Sequence, residues 1–169
     1  MPAPSDLLSS VFGFSAFRPG QEEIVDAVTT GRDVLAIMPT GGGKSLCFQL
    51  PALCREGLTV VISPLIALMR DQVRGLKEAG VEAGALTSGN TEEETEAVWD
   101  ALEQGRLKLL YMAPERLAAG SAMGMLRRIN VTMIAVDEAH CVSQWGHDFR
   151  PDYLRIGELR RALNVPLAA

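Results

Sequence analysis

The stretch Asp33–Ser45, DVLAIMPTGGGKS, decides the fold, because it joins an apolar strand pattern to a glycine-rich loop and a Lys-Ser pair. The residues that follow, up to Leu53, have a helical pattern. Glycines let backbone N–H groups turn toward phosphate oxygens, and the N-terminus of the helix adds the positive end of its dipole. The order of strand, loop and helix therefore predicts a phosphate-binding loop in an α/β protein.

The residue types in this loop predict what each would contact. Lys44 would place its charge at the β- and γ-phosphates of a nucleotide, and Ser45 would offer its hydroxyl to Mg²⁺. Met38 occupies the first glycine position of the strict pattern G-x-x-x-x-G-K-[ST], so that pattern is not met, and the loop instead resembles the P-T-G-x-G-K-S variant found in helicases. The alternative is a glycine-rich turn that only caps a helix. The remaining candidates for phosphate binding are Thr40, Gly41, Gly42 and Gly43.

Two adjacent carboxylates, Asp137 and Glu138, follow directly after the apolar strand pattern Val131–Val136. Doubly wound sheets bind ligands at the carboxyl ends of their strands. We expect Asp137 to hold Mg²⁺ and Glu138 to orient and deprotonate the attacking water. Alone, an Asp-Glu pair after a strand is more typical of a solvated turn, but the phosphate-binding loop upstream favours the catalytic interpretation.

Apolar strand patterns alternate with longer amphipathic segments, which is typical of βαβ units and a parallel sheet buried on both faces. The expected strands are Asp33–Met38, Thr59–Ser63, Glu82–Leu86, Leu107–Met112 and Val131–Val136. The expected helices are Gly20–Thr30, Lys44–Leu53, Leu65–Ala79, Thr91–Gln104 and Asp152–Leu163. Thr91 and Glu94 have the spacing of a capping box. Val165–Ala169 reads as the opening of another buried strand, so we expect the chain to be cut inside a domain there.

The charge of the chain is unevenly placed. Its 169 residues are 47% hydrophobic and 22% charged, which is ordinary for one globular domain. The net charge is −5, but Thr91–Gln104 holds six of the 21 acidic residues and no basic one. The other 15 acids face 16 Lys and Arg, so the overall charge does not exclude a local contact with nucleic acid.

The cysteine spacing and the length of the apolar runs predict the cellular compartment of the protein. The cysteines, Cys47, Cys54 and Cys141, are odd in number and show no C-x-x-C pair, so we expect neither a disulfide nor a zinc site in this segment. The apolar runs are too short for a bilayer and the N-terminus has no leader pattern. These features predict a cytoplasmic protein with no membrane partner.

Six of the nine aromatic residues fall in two short stretches, three in Phe12–Phe17 and three in Trp145–Tyr153. Phe12, Phe14 and Phe17 lead into Arg18-Pro-Gly-Gln21, where a ring or guanidinium face would stack on adenine and an amide would bind its edge. For Phe12 and Phe17 the alternative is a hydrophobic staple before a helix.

The second aromatic stretch, SQWGHDFRP at residues 143–151, is interpreted as a loop because of its glycine and proline. Trp145 and Phe149, with Arg150 nearby, suit stacking on single-stranded nucleic acid, where each stacked base is worth about 1–3 kcal/mol. On composition alone, a core position for Trp145 is an equally good interpretation. His147 is most simply a hydrogen-bonding spacer.

Taken together, these motifs closely resemble the RecQ family of DNA helicases, from the Phe14–Gln21 region to the last residue. The resemblance is carried, in the family's order, by F-R-P-G-Q, M-P-T-G-G-G-K-S-L-C-F-Q-L-P-A, S-P-L-I-A-L-M-R-D-Q, Y-M-A-P-E-R-L, D-E-A-H-C and S-Q-W-G-H-D-F-R-P. It implies an ATP-driven motor with two RecA-like lobes that moves 3′ to 5′ on DNA, with ATP and Mg²⁺ as cofactors. Residues 1–169 would be an incomplete first lobe, a RecA-like P-loop three-layer sandwich with a mainly parallel sheet. Residues 1–30 would form a helical adenine-binding segment within it.

The resemblance also implies roles for single residues. Phe14, Arg18 and Gln21 would hold adenine, although the family is expected to have a tyrosine at the position of Phe14. His140 would sense the γ-phosphate. Segments Ser63–Arg70 and Met112–Arg116 would contact single-stranded DNA, and the coupling loop would use Trp145, Phe149 and Arg150.

In the family, the rest of the motor would follow Ala169: a Thr-Ala-Thr motif, a second lobe with an arginine finger, a zinc-binding module and a winged helix. An arginine finger is worth about 10³- to 10⁵-fold in rate, so the first lobe alone should be at best a feeble enzyme. Single-stranded and partially duplex DNA would be its partners, at the bacterial nucleoid.

Two other functions stay open, a DEAH-type RNA helicase lobe and a nucleotide-binding regulatory module without motor activity. The loop around Trp145 argues against the RNA helicase. The Asp137-Glu138 pair argues against the regulatory module, because binding alone needs no water-activating carboxylate.

Truncation of Trp145 distinguishes the two interpretations of its loop. If the ring stacks on bases, Trp145→Ala in the full-length protein preserves the melting temperature and lowers the stimulation of ATP hydrolysis by single-stranded DNA. If the ring fills the core, the change costs about 3–5 kcal/mol and lowers the melting temperature markedly. We expect the first outcome. A thermal melt beside a DNA-dependent ATPase titration tests it, and either a large drop in melting temperature or unchanged stimulation would reject it.

Overall fold

Four parallel strands form the centre of the structure. They are β1 (Leu58–Ile62), β2 (Ala83–Leu86), β3 (Leu109–Met112) and β4 (Val131–Val136), and a two-residue strand, β5 (Leu167–Ala168), pairs with β4. Their order is β2-β3-β1-β4-β5, and each pair is parallel. The computed structural model describes residues 3–34, 44–118, 121–137 and 167–168. The predicted α/β class with a parallel sheet is confirmed.

Seven helices lie within these described ranges. They are α1 (Pro4–Ser10), α2 (Gln21–Thr29), α3 (Leu46–Cys54), α4 (Ile66–Glu78), α5 (Glu92–Glu103), α6 (Pro114–Ala118) and α7 (Ser121–Leu126). The Thr91 hydroxyl accepts a hydrogen bond from the Glu94 N–H at 3.1 Å, and the Glu94 carboxylate accepts one from the Thr91 N–H at 3.4 Å. The capping box predicted at the start of α5 is therefore confirmed.

Helices cover the sheet on both faces, because successive strand side chains point to opposite sides. One face carries Val61 of β1 and packs against α3 and α4 through Phe48 and Met69. The other face carries Val60 and packs against α5 and α7, with Leu102 and Leu126 among the buried contacts. The result is the three-layer arrangement predicted for the chain.

The observed elements differ from the sequence predictions mainly where elements are short. Helices α1, α6 and α7 were not predicted, although α1 begins with Pro4 at a favoured first position and has Asp6 in its first turn. The expected strand Asp33–Met38 lies outside the described residues beyond Val34, and so does the expected helix Asp152–Leu163. No helix in the described ranges is long and apolar enough to cross a membrane.

A buried hydroxyl in β1, that of Thr59, lowers the stability of the fold because it makes no hydrogen bond within the described residues. Thr59 is 1% exposed, and its Oγ1 has no hydrogen-bond partner among the described residues. Since a buried unsatisfied hydroxyl costs about 1–3 kcal/mol, Thr59→Val should raise the free energy of unfolding by about 1 kcal/mol in a urea titration. Thr132→Val is the matched control, because the Thr132 hydroxyl donates to the Glu56 carbonyl at 2.6 Å and its loss should not stabilise. Equal shifts for both variants would contradict this account.

Candidate nucleotide site

The carboxyl ends of the three central strands lie level with one another. In the register of the sheet, Ile62 of β1 pairs with Met112 of β3 on one side and with Val136 of β4 on the other. The pairing continues one residue further, since the Ser63 N–H donates to the Met112 carbonyl at 3.1 Å and the Asp137 N–H donates to the Ile62 carbonyl at 2.9 Å. Asp137 is thus held by its backbone at the carboxyl edge of the sheet, where α/β proteins bind ligands.

Lys44 and Ser45 lie directly before α3, and Ser45 is its N-cap residue. Their carbonyls accept hydrogen bonds from the N–H groups of Cys47 and Gln49, at 3.0 and 2.9 Å. Lys44 is exposed and Ser45 is partly buried, and the Ser45 hydroxyl makes no capping bond to the helix. Among the described carboxylates, none lies within salt-bridge distance of Lys44. The start of α3 therefore presents a cation and a hydroxyl that its own helix does not use.

A hydrogen bond links this helix to β3 near the carboxyl end of that strand. Gln49 Nε2 donates to the Tyr111 hydroxyl at 2.9 Å. Ser45 lies four residues before Gln49, so both side chains lie on the same face of α3. Burial raises the pKa of Tyr111, the bond from Gln49 opposes this increase, and the negative charge of Asp137 adds to it. Asp137 therefore lies within electrostatic reach of the phenol that anchors α3.

The donor set at this edge fits a nucleotide with Mg²⁺. A hydroxyl from Ser45 and a carboxylate from Asp137 are the hard oxygen ligands that Mg²⁺ prefers, and Mg²⁺ sites combine one or two such groups with phosphate oxygens. Lys44 would supply the cation that a phosphate-binding loop needs. The buried thiol of Cys47 is no competing nucleophile, because burial raises its pKa to about 11.

The segment before α2 packs beside the first turn of α3. Phe12 and Phe17 contact the small buried cluster that includes Leu46 and Leu50 of α3. Both phenylalanines thus have a packing role, in line with the alternative considered for them. Phe14 is 51% exposed and leaves a ring face open to solvent.

Arg18 and Gln21 form a closed turn at the start of α2. The Gln21 amide oxygen accepts from the Arg18 N–H at 2.8 Å, and the Gln21 N–H donates to the Arg18 carbonyl at 3.0 Å. Gly20 makes this turn possible, because its φ of 85° is in the left-handed region. Gln21 is 3% exposed, so its amide oxygen holds the turn. The role of Phe14, Arg18 and Gln21 in adenine binding stays a prediction.

The candidate nucleic-acid contacts on α4 differ in exposure. Ser63 is 1% exposed, and its Oγ accepts from the Leu65 N–H at 3.4 Å, so the hydroxyl shapes the turn into α4. The Arg70 guanidinium donates to the Gly89 carbonyl and lies 3.4 Å from the Glu94 carboxylate. Two exposed leucines of this segment, Leu65 at 44% and Leu68 at 37%, were not singled out from the sequence. Their signal was the presence of two leucines, at positions 65 and 68, in the motif S-P-L-I-A-L-M-R-D-Q beside the buried Met69.

Several predicted site residues lie outside the described residues. They are Thr40, Gly41, Gly42, Gly43, Glu138, His140, Trp145, Phe149 and Arg150. Their roles, and the choice between stacking and core packing for Trp145, stay predictions. The described part of the candidate site therefore consists of Lys44 and Ser45 before α3, the end of β4 and the segment before α2.

Comparison with known proteins adds a family match. Residues 18–167 match the family model described as DEAD/DEAH box helicase. The chain is 50% identical over 169 residues to the ATP-dependent DNA helicase RecQ of Haemophilus influenzae, covering 99% of this chain and 27% of that protein. It is 54% identical over 165 residues to the RecQ helicase of Pasteurella multocida, covering 97% and 26%. The chain spans about a quarter of the length of these relatives, and the resemblance to RecQ helicases is confirmed.

Solved structures agree on the fold. The DUF1998 helicase MrfA bound to DNA superposes with a TM-score of 0.76 at 18% identity, covering 99% of this chain and 26% of that one. The Mycobacterium smegmatis helicase Lhr bound to ssDNA and AMP-PNP gives a TM-score of 0.72 at 23% identity, covering 99% and 24%. The predicted RecA-like helicase fold is therefore confirmed.

Proposed function

The chain belongs to the DEAD/DEAH box helicase family, and we propose that it is the first motor lobe of a RecQ-type DNA helicase. In this proposal the lobe binds Mg·ATP and couples its hydrolysis to 3′-to-5′ movement on single-stranded DNA. The observation that supports the proposal most is the level carboxyl edge, where the backbone holds Asp137 directly after β4, together with the Lys44-Ser45 pair directly before α3. Identities of 50% and 54% to proteins named ATP-dependent DNA helicase RecQ support the choice of DNA and of ATP.

The residues divide the work of nucleotide binding and hydrolysis. Lys44 binds the β- and γ-phosphates, and Ser45 and Asp137 would hold Mg²⁺. When bound, Mg²⁺ offsets the phosphate charge. Glu138 orients and deprotonates the attacking water, and His140 contacts the γ-phosphate. Adenine binding falls to residues 1–30, in which Phe14, Arg18 and Gln21 are the contacts.

Nucleic acid binds at segments that follow the same sheet edge. Ser63–Arg70 follows β1, and its exposed leucines, Leu65 and Leu68, offer apolar surface to bases or to a second lobe. Met112–Arg116 follows β3, with Arg116 in α6. Trp145, Phe149 and Arg150 couple DNA binding to hydrolysis. A second lobe would supply the arginine finger, so residues 1–169 are an incomplete motor.

The two other functions have less support. The relatives with about 50% identity are named DNA helicases, which disfavours an RNA helicase. A DNA helicase of this kind would act at the nucleoid in the cytoplasm, on single-stranded and partially duplex DNA. ATPase stimulation by DNA and RNA strands of equal sequence tests this choice, because the proposal expects stimulation by DNA and little by RNA.

Substitution of Lys44 and Glu138 tests the division of labour. In the full-length protein, Lys44→Ala should nearly abolish binding of Mg·ATP, because it removes the fixed cation at the β- and γ-phosphates. Glu138→Gln should preserve nucleotide affinity and stop hydrolysis, because the amide cannot accept the proton of water. A fluorescent-nucleotide titration beside a phosphate-release assay measures both quantities.

Lys77→Ala is the matched control for the loss of a lysine charge. Lys77 lies in the last turn of α4, toward the opposite edge of the sheet, so this variant should bind nucleotide like the wild type. Equal loss of nucleotide affinity in Lys44→Ala and Glu138→Gln would contradict the proposed roles.

A further inference from the structure

Three polar side chains from different elements meet below the carboxyl edge. They are Gln49 of α3, Gln72 of α4 and Tyr111 of β3. Gln49 Nε2 donates to the Tyr111 hydroxyl at 2.9 Å and to Gln72 Oε1 at 3.4 Å. Tyr111 is 1% exposed and Gln49 is 7% exposed, so the bond between them is buried. We call these three residues the Gln-Tyr network.

Gln49 uses both hydrogens of its side-chain amide within this network, on a face of the sheet where the neighbouring side chains are mostly apolar. A glutamine amide nitrogen carries two hydrogens, and Gln49 directs one to β3 and the other to α4. The surrounding side chains on this face of the sheet, including Phe48, Met69 and Val73, are apolar. Loss of either acceptor would leave a buried donor without a partner, which is unfavourable in such surroundings. The position of α3 relative to β3 and α4 is therefore fixed by two directional hydrogen bonds as well as by apolar packing.

An aromatic contact between Phe48 and Tyr111 also links α3 to β3. The rings of Phe48 and Tyr111 lie 6.4 Å apart between centroids at 63°, an edge-to-face arrangement. Consecutive residues of α3 thus hold one tyrosine, Phe48 through its ring and Gln49 through its amide. Because the ring contact does not need the hydroxyl, Tyr111→Phe removes the hydrogen bond and keeps the packing.

The network reaches both parts of the proposed motor. Gln49 lies one turn after Ser45, and Tyr111 lies within electrostatic reach of Asp137. Gln72 lies on α4, whose first residues belong to the segment Ser63–Arg70 that is proposed to contact DNA. A shift of α4 on binding DNA would therefore act on α3 through Gln49.

We propose that Gln49 and Tyr111 are positioning residues for nucleotide hydrolysis, which hold Ser45 in register with Asp137 and transmit the position of α4 to them. This inference rests on the proposed function and deepens it. Neither residue touches the nucleotide. Their effect is expected in the rate of DNA-stimulated hydrolysis more than in the affinity for ATP.

The test uses the full-length protein with Tyr111→Phe, Gln49→Met and the double variant. Steady-state ATP hydrolysis is measured against ATP concentration, with and without saturating single-stranded DNA. Each single variant should lower kcat in the presence of DNA by about two- to ten-fold, the range that one buried hydrogen bond is worth, while KM for ATP stays within about two-fold. The double variant should resemble Gln49→Met, because Gln49→Met already removes the bond to Tyr111 as well as the bond to Gln72.

Thr59→Val is the control, since it removes a buried hydroxyl of the same sheet that has no partner in the described part of the chain. It should leave the DNA-stimulated kcat unchanged. Full stimulation in Tyr111→Phe would overturn the positioning role, and so would losses that multiply in the double variant. Should Gln49→Met fail to fold, Tyr111→Phe with its intact ring still decides the question. A wild-type protein whose hydrolysis does not respond to DNA would instead overturn the proposed function.

Discussion

The level register of three parallel strands is the constraint on which the rest of the structure depends. Ile62, Met112 and Val136 pair across β3, β1 and β4, so the chain leaves all three strands at one edge. The backbone bonds of Ser63 and Asp137 extend this edge by one residue. The candidate site residues that follow these strands take their positions from that register. They include Ser63, in the segment proposed to contact DNA, and Asp137, the proposed Mg²⁺ ligand. A slip of one residue would turn each side chain to the opposite face.

The second constraint is the attachment of α3 to this edge. Its helix is buried along nearly its whole length, but apolar packing alone tolerates small shifts of a helix. The Gln49 amide restricts these shifts, because its hydrogen bonds require particular positions of Tyr111 and Gln72. The start of α3, which is proposed to bind phosphate, is therefore attached through Gln49 both to β3 and to α4, the helix whose first residues belong to the proposed DNA contact. In the proposed motor, DNA binding and ATP hydrolysis would be coupled through the contacts of Gln49 with Gln72 and Tyr111.

Much of this arrangement could be predicted from the sequence. β4 begins and ends at the predicted residues, and the Thr91–Glu94 spacing identified the start of α5, because both signals are local. Helix α1 was missed, since seven residues carry little periodicity and Leu8 is fixed by contacts with α2 and α3. The burial of Ser63 was also missed, because the motif shows which residue is present and not which way it turns.

The residue types of the nucleotide site were predicted, but the contacts that orient them were not. Gln49 and Tyr111 were both within quoted motifs, yet they are 62 residues apart and nothing local indicates that they bond. Such a pair is visible only when the sheet brings β3 beneath α3.

The central claim is that Ser45 and Asp137 hold the same Mg²⁺ at this edge. Nucleotide affinity measured with and without Mg²⁺ for Ser45→Ala and Asp137→Asn in the full-length protein tests it most directly. The account predicts that both variants lose the gain in affinity that Mg²⁺ confers on the wild type, while affinity for nucleotide without metal stays close to that of the wild type. A variant that keeps the full gain from Mg²⁺ would contradict a shared site.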